Sequence, residues 1–398
     1  MDYFLFTGSA SVGDIKVALG ITVYNRVMLS KSFQTLKHSD PFLWISMLCL
    51  IAIGLLMVYS TTAVLAEQNH GRSTLYAFKH LTSLAIGLGV FFIMLRVSPE
   101  TLYKYAPSLL ALSVLLLLIV AIPGIGQKAG GARRWLGVGG FRAQPGELVK
   151  IFVIIFFAYY IAKYHNIMRY VVPGIITPGL ILGLLACLYL LQPDLGSFLV
   201  VAIVSTSLLF TIVRWKHILG LLMLGTTFVS LAVTFSPYRL QRFLSFQDPF
   251  TVASTGGYQL IQSLIAIGSG GTFGSGIGGG KQKLFFLPAA HTDFIYAMIG
   301  EEAGMVGALV VLMLFVVIAF RGLMVAMKHS ENVFYCMLAL GCTALIIIPA
   351  FLNIGVVLGL LPTKGMVLPF VSYGGTALIV YMAVMAILLR LSSVRAAE

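Results

Sequence analysis

The sequence predicts an all-α polytopic membrane protein with ten transmembrane helices, and three observations carry that prediction. Of the 398 residues, 59% are hydrophobic and only 10% are charged, whereas a soluble domain of this size is about half polar. The mean hydropathy is +0.99. The apolar runs are about 20 residues long, the length that crosses a bilayer as a helix. They do not alternate with period two, which excludes the strands of a membrane barrel.

The apolar windows fall at about residues 42–64, 77–95, 106–122, 148–162, 171–191, 195–213, 217–235, 293–319, 333–358 and 366–390. Those at 148–162 and 195–213 are the weakest, with Pro145 and Pro193 just before them. The first 40 residues are mixed in character and suit either a short interfacial helix or a disordered segment. The first apolar run begins only near Phe42, which argues against a cleaved signal peptide. The expected organisation is a cytoplasmic segment 1–40, a membrane domain 41–391 and a cytoplasmic tail 392–398. Cys49, Cys187, Cys336 and Cys342 all lie in apolar runs without CxxC spacing and read as small buried hydrophobes.

Lysines and arginines in short connections set orientation. Lys16, Arg26, Lys31, Lys37, Arg96, Lys104, Lys163, Arg169, Arg214, Lys216, Arg321, Lys328, Arg390 and Arg395 share one side, 14 of the 26 basic residues. That side is the expected cytoplasm, with both termini in it and a large extracytoplasmic loop, about 236–292, between helices 7 and 8. Most of the other 12 basic residues gather around Gln127–Lys150, in the long loop and at Lys364. Long loops escape the charge rule, but the cluster Arg133, Arg134, Arg142 and Lys364 do not fall under that exemption. A basic outer cavity suits an anionic ligand, phosphate above all.

The densest ionisable stretch is Lys281–Gly304, KQKLFFLPAAHTDFIYAMIGEEAG. Charge at a bilayer edge is costly and marks function. Asp293 stands where a helix begins, so it reads either as an N-cap or as a reactive carboxylate. Glu301 and Glu302 lie deeper and point about 100° apart, more suited to internal pairing. Trp135 reads as an interface anchor or part of a ligand cluster with Arg133 and Arg134. Glu147, after Gln144-Pro145-Gly146, reads as a first-turn acid or a cavity carboxylate. Asp194, after Pro193, has the pattern of a helix cap. Gly256–Ser263 suits an amphipathic helix along the membrane surface. The run GSGGTFGSGIGGG contains GxGxxG at Gly274, Gly276 and Gly279. It lacks a preceding strand and a following Lys-Ser/Thr and reads instead as a mobile loop over a site. Lys364 sits among prolines and glycines that interrupt a span, as helices do where they line a cavity, although a lysine there also snorkels.

Together ARRWL, QPGE, QPDLG, GGYQLIQS, LPAAHTDFIYAMIGEEAG and LPTKG…LPFVSYGG resemble the SEDS (FtsW/RodA) family of bacterial cell-wall proteins, in this order and over nearly all of residues 40–390. Ile299–Glu302 and Leu361–Gly365 resemble its division branch. Ala289, Gly146 and Thr376-Ala377 depart from the family's usual Glu, Ser and Ser-Ser; the first weakens any scheme with two carboxylates there. The resemblance implies a peptidoglycan glycosyltransferase of the bacterial inner membrane, placed at the division septum. It would polymerise lipid II outside the membrane with inversion and loss of undecaprenyl pyrophosphate. A class B penicillin-binding protein and other divisome proteins would be its partners. Asp293 matches the family's essential loop aspartate and is the expected base, with Glu301 eight residues on as a neighbour that would raise its pKa. Lys364, Arg133 and Arg134 would hold pyrophosphate, and Glu147, Lys281, Lys283 and His291 would line the substrate site. Asp194, Glu301, Glu302 and Trp135 would support it. No metal cluster is read from the sequence; a divalent cation, Mg or Mn, at the pyrophosphate is left open. A lipid II flippase and a division scaffold without chemistry are the competing classes.

Overall fold

The computed structural model describes residues 32, 34–129, 132–138, 141–235, 240, 241, 246, 249 and 257–394. Most of the 1–40 segment, Gly256 with much of the first half of the large loop, and the end of the 392–398 tail lie outside the described residues.

The described residues are mostly helix, in a polytopic membrane fold. Helix α1 (Pro41–His70) starts where the Asp40 carboxylate accepts from Phe42 N–H, with proline at the first position. It stops at Gly71, whose φ of 66° lets its N–H reach Glu67 O. α2 (Leu75–Met94) follows, and α3 (Pro99–Ala121) begins at a Ser98 cap. α4 (Pro145–Tyr164), α5 (Thr177–Leu191), α6 (Leu195–Phe210) and α7 (Trp215–Thr234) come next. After the large loop come α8 (Tyr258–Gly270), α9 (Ile295–Glu302), α10 (Gly304–Lys328), α11 (Val333–Val357) and α12 (Gly375–Ser393). Among the described residues, eight helices are long and apolar enough to cross a membrane, and Leu195–Phe210 and Trp215–Leu231 are shorter apolar helices. α4 and α12 are buried almost all round, as expected of helices apolar on every face at a bundle's centre. α2 packs on α12, and α3 and α11 on α4, while α2 and α3 turn broad apolar faces outward.

Four expectations are corrected. The chain is not purely α: β1 (Gln127–Ala129), β2 (Ala132–Val138) and β3 (Phe141–Ala143) form an antiparallel sheet in the second outer loop. The span expected at 293–319 is two helices, because Gly304 at φ 68° breaks the chain between α9 and α10. α9 has eight residues, all buried, too short to cross. The span expected from 366 starts only at Gly375, and Met366–Gly374 is non-helical wall. The glycine run is not a free hinge. Gly271, Gly274, Gly276 and Gly278 take positive φ, and Ser275 and Gly276 N–H bond Glu301 O and Glu302 O at the end of α9. A β-carbon at Gly274 would stand 2.2 Å from Glu302 O.

Candidate active site at one end of the bundle

At one end of the bundle, two non-helical segments run side by side. Tyr373 N–H donates to His291 O at 3.0 Å and Ser372 Oγ to Thr292 O at 2.6 Å. Asn353, on α11 and 1% exposed, ties both down with one amide: Nδ2 donates to Asp293 O at 2.8 Å and Met366 O at 2.6 Å. These contacts put Asp293 against the chain at Gly365. A β-carbon there would lie 2.9 Å from Asp293 Oδ2, so glycine leaves room for the carboxylate beside Lys364.

Asp293 does not cap a helix. Its own N–H turns back to Ala289 O, and α9 begins two residues later behind Phe294 with no side-chain cap. Nor is Glu301 its partner. The Glu301 carboxylate accepts from the N–H groups of Lys281 (2.7 Å) and Gln282 (3.2 Å). Glu302 accepts from Ser60 Oγ at 2.7 Å, Gly278 N–H at 2.9 Å and Lys283 Nζ at 2.7 Å. The Lys283 side chain is 7% exposed, which corrects its expected place as a headgroup contact. Lys281 is exposed, with its backbone held.

From Lys364 the polar face continues to the turn before α6. Lys364 Nζ donates to Leu195 O at 3.3 Å, and its Cε lies 3.3 Å from where a β-carbon of Gly196 would sit. Asp194 caps α6, accepting from Ser197 N–H at 3.2 Å and Ser197 Oγ at 2.9 Å, and also from Gln144 Nε2 at 3.2 Å. Arg134 braces this turn, donating to Gln192 O at 3.2 Å and to Pro193 O, and standing 3.7 Å from Asp194 Oδ1. Its fork is therefore turned to the protein frame, which corrects its expected role on pyrophosphate. Arg133, one residue earlier in β2, reaches Ala121 O only at 3.5 Å, and its buried Nε has no hydrogen-bond partner among the described residues. Trp135 is half-buried opposite Gln127 in the sheet.

Glu147 lies deeper, paired with Lys150 at 2.6 Å, both side chains under 10% exposed. His291 sits in an aromatic group with Tyr76 and Tyr373, ring centroids 6.3 and 5.8 Å away. Burial lowers the His291 pKa and, with a lesser effect from Tyr76, raises that of Tyr373. Both therefore stay neutral at pH 7 and act as hydrogen-bonding or stacking groups. Sequence reasoning missed Asn353, although a lone amide deep in an apolar span is a readable signal. It also missed Tyr76 and Tyr373, which nothing local distinguishes from interface aromatics. No group of three or more His, Cys, Asp and Glu suited to a metal occurs among the described residues.

The arrangement offers, at a half-buried wall, a carboxylate against the backbone of the residue that follows a lysine, with further cations in the adjoining sheet. That combination takes a proton from a hydroxyl and neutralises an anionic leaving group.

Comparison with known proteins gives this geometry a family. The cell cycle protein family of FtsW, RodA and SpoVE matches residues 41–397. A protein of Trichlorobacter lovleyi named probable peptidoglycan glycosyltransferase FtsW is 39% identical over 367 residues, 92% of this chain and 96% of that protein. Its namesake from Coxiella burnetii is 37% identical over 357 residues, 89% and 96% of the two chains. Among solved structures, a chain described under structural coordination of polymerization and crosslinking by a peptidoglycan synthase complex superposes with a TM-score of 0.73. It is 26% identical and covers 89% of this chain and 97% of that one. The rod shape determining protein RodA of Thermus thermophilus gives 0.66 at 25% identity, covering 89% and 96%.

Proposed function

Because the chain belongs to the FtsW/RodA/SpoVE family of cell cycle proteins, we propose its function on that footing: it is a peptidoglycan glycosyltransferase of cell division. It polymerises lipid II into glycan strands at the outer face of the bacterial inner membrane, at the septum. A class B penicillin-binding protein cross-links the product, and other divisome proteins complete the assembly. The ten apolar helices are its spans, both termini are cytoplasmic, and the large loop before α9 lies outside.

The observation that supports this reading is the Asp293 carboxylate held against Gly365, the residue after Lys364, with Asn353 tying Asp293 O to Met366 O. The acceptor sugar's hydroxyl gives its proton to Asp293 as its oxygen attacks the donor's anomeric carbon. The bond from that carbon to the lipid pyrophosphate breaks on the opposite face, so configuration inverts and undecaprenyl pyrophosphate departs with the bonding electrons. Lys364 and Arg133 offset the charge that grows on the leaving group. His291 and Tyr373, both neutral, orient the acceptor. Arg134 and Asp194 hold the frame, and Glu147 with Lys150 supports it from below.

A flippase needs a polar route through the membrane. Here the interior between the two ends is filled by apolar side chains of α4, α11 and α12, which favours polymerisation. The test uses purified protein with its transpeptidase partner and fluorescent lipid II. Wild type makes long glycan, and Asp293→Asn makes none while folding normally. Full-length glycan from the variant, or lipid II translocation lost with polymerisation intact, would refute the assignment.

A further inference from the structure

Asn353 is a buried polar group to which the proposed chemistry gives no role of its own. It is 1% exposed and sits in the apolar run IIIPAFLNIGVV of α11. A lone amide in such a span is either glue between helices or a functional contact. Glue would join Asn353 to a neighbouring helix. Its amide hydrogens go instead to backbone carbonyls of two non-helical segments, Asp293 O at 2.8 Å and Met366 O at 2.6 Å. Oδ1 is buried with no hydrogen-bond partner among the described residues, so the two donors orient the side chain.

The two N–H bonds of a planar amide diverge at a fixed angle, which holds these carbonyl oxygens about 5 Å apart. One of them belongs to residue 293 itself, whereas Ser372 and Tyr373 hold the residues before it, 292 and 291. The other lies one residue beyond Gly365, whose β-carbon would stand 2.9 Å from Asp293 Oδ2. Asn353 thus acts as a spacer. It sets how far the carboxylate stands from the Gly365 backbone, a clearance too small for a methyl group.

The spacer is itself held from outside. Pro349 lies inside α11, one turn before Asn353. It has no N–H for the carbonyl four residues earlier, which loosens the helix at that level. Beyond the amide, fully buried Ser263 of α8 donates Oγ–H to Val357 O at 2.9 Å. That carbonyl is one of the last four, which a helix leaves without a partner of its own. Val357 stands one turn from Asn353, so α8 clips the outer end of α11 on the far side of the proline.

We propose that Asn353 is a positioning residue for the base, setting the place of Asp293, and that Ser263 holds Asn353 in register. This rests on the reading of Asp293 as the base and adds which buried groups place it.

The experiment measures kcat and KM for fluorescent lipid II, with purified full-length protein and its transpeptidase partner, alongside Tm. Asn353→Leu keeps the size and removes both donors. Its kcat should fall about 10²-fold, the cost of a misplaced reacting group, with KM unchanged. Asn353→Gln, which keeps both donors one methylene further out, should recover part of that loss. Asn353→Leu/Gly365→Ala should be little slower than Asn353→Leu alone, because both changes displace one carboxylate. A lower Tm with wild-type kcat per folded molecule would make Asn353 glue and overturn the proposal. Losses that multiply in the double variant would overturn its action through Asp293. Should Asn353→Leu fail to fold, Ser263→Ala decides, since it leaves the amide in place and removes the clip. Its kcat should fall several-fold with KM unchanged, and a wild-type kcat overturns the proposal. Full activity in Asp293→Asn would refute the base assignment; an inactive Asp293→Asn beside a fully active Asn353→Leu refutes the positioning role alone.

Discussion

Asp293 and Glu302 stand nine residues apart at the two ends of one short helix, yet the structure treats them oppositely. Glu302 is 1% exposed and takes a serine hydroxyl, a backbone N–H and a lysine, donors drawn from α1, the glycine run and the segment just after it. Asp293 is half-buried, with its carboxylate against the Gly365 backbone, one residue on from Lys364. A carboxylate surrounded by fixed donors inside the protein is a brace, because moving its charge would strand its partners. One at a half-buried wall without such a set of donors is what the proposed mechanism asks of a base. Burial and the origin of the partners separate the two roles; residue type and charge density do not.

The comparison breaks first at Asp293. Asp293→Asn keeps the shape and removes the base, and polymerisation should fall about 10²–10⁴-fold with an unchanged melting temperature. A large stability loss would make Asp293 a brace as well. Next is Lys283→Met, which leaves Glu302 buried without its cation. Stability should fall by about 3–5 kcal/mol, measured by thermal or chemical unfolding, and Glu302→Leu/Lys283→Met should recover most of it. A variant with normal stability and failed lipid II binding would return Lys283 to the substrate site.

A smaller effect sharpens the contrast. Gly365→Ala would press a methyl group against Asp293 Oδ2 and move the carboxylate by a few tenths of an ångström. Reaction geometry is sensitive on that scale, so kcat should drop about 10-fold with little change in stability. The same class of change at Gly274, where φ is 81° and the obstacle is backbone, should instead destabilise the fold. The smallest effect concerns His291, whose pKa burial lowers. Its neutral form stabilises the fold above about pH 6.5, and that contribution is lost as pH falls through the lowered folded-state value. His291→Gln should flatten the fall of Tm on acidification; an identical fall in both proteins would remove His291 from the acid response.

The hydropathy of the chain made the order of the long apolar helices legible, since each of the eight among the described residues overlaps an apolar window. It failed where tertiary contacts override an apolar pattern. Met366–Val371 is as apolar as a span, but Met366 O takes the Asn353 amide, Leu368 N–H donates to Ser372 Oγ and Tyr373 N–H just beyond donates to His291 O, in place of a helix. The break at Gly304 was hidden in an apolar window, and it is the close approach of the Thr272–Gly274 backbone that calls for a glycine there. The sheet at Gln127–Ala143 was masked because two of its strands, QKA and FRA, are only three residues long. Within the site, residue types were readable and directions were not. Arg133 and Arg134 are adjacent in a strand and so point to opposite faces. Only coordinates show that Arg134 answers the 192–194 turn.

Helix α9 is eight residues long, about 12 Å of rigid rod, and every residue in it is buried. It begins just after Asp293 and ends in the two glutamates that grip the glycine run. A rod so confined has little freedom except to slide or rock as one piece. Any displacement of the glycine run would therefore reach Asp293, the proposed base, mechanically, with no lid and no rearrangement around it.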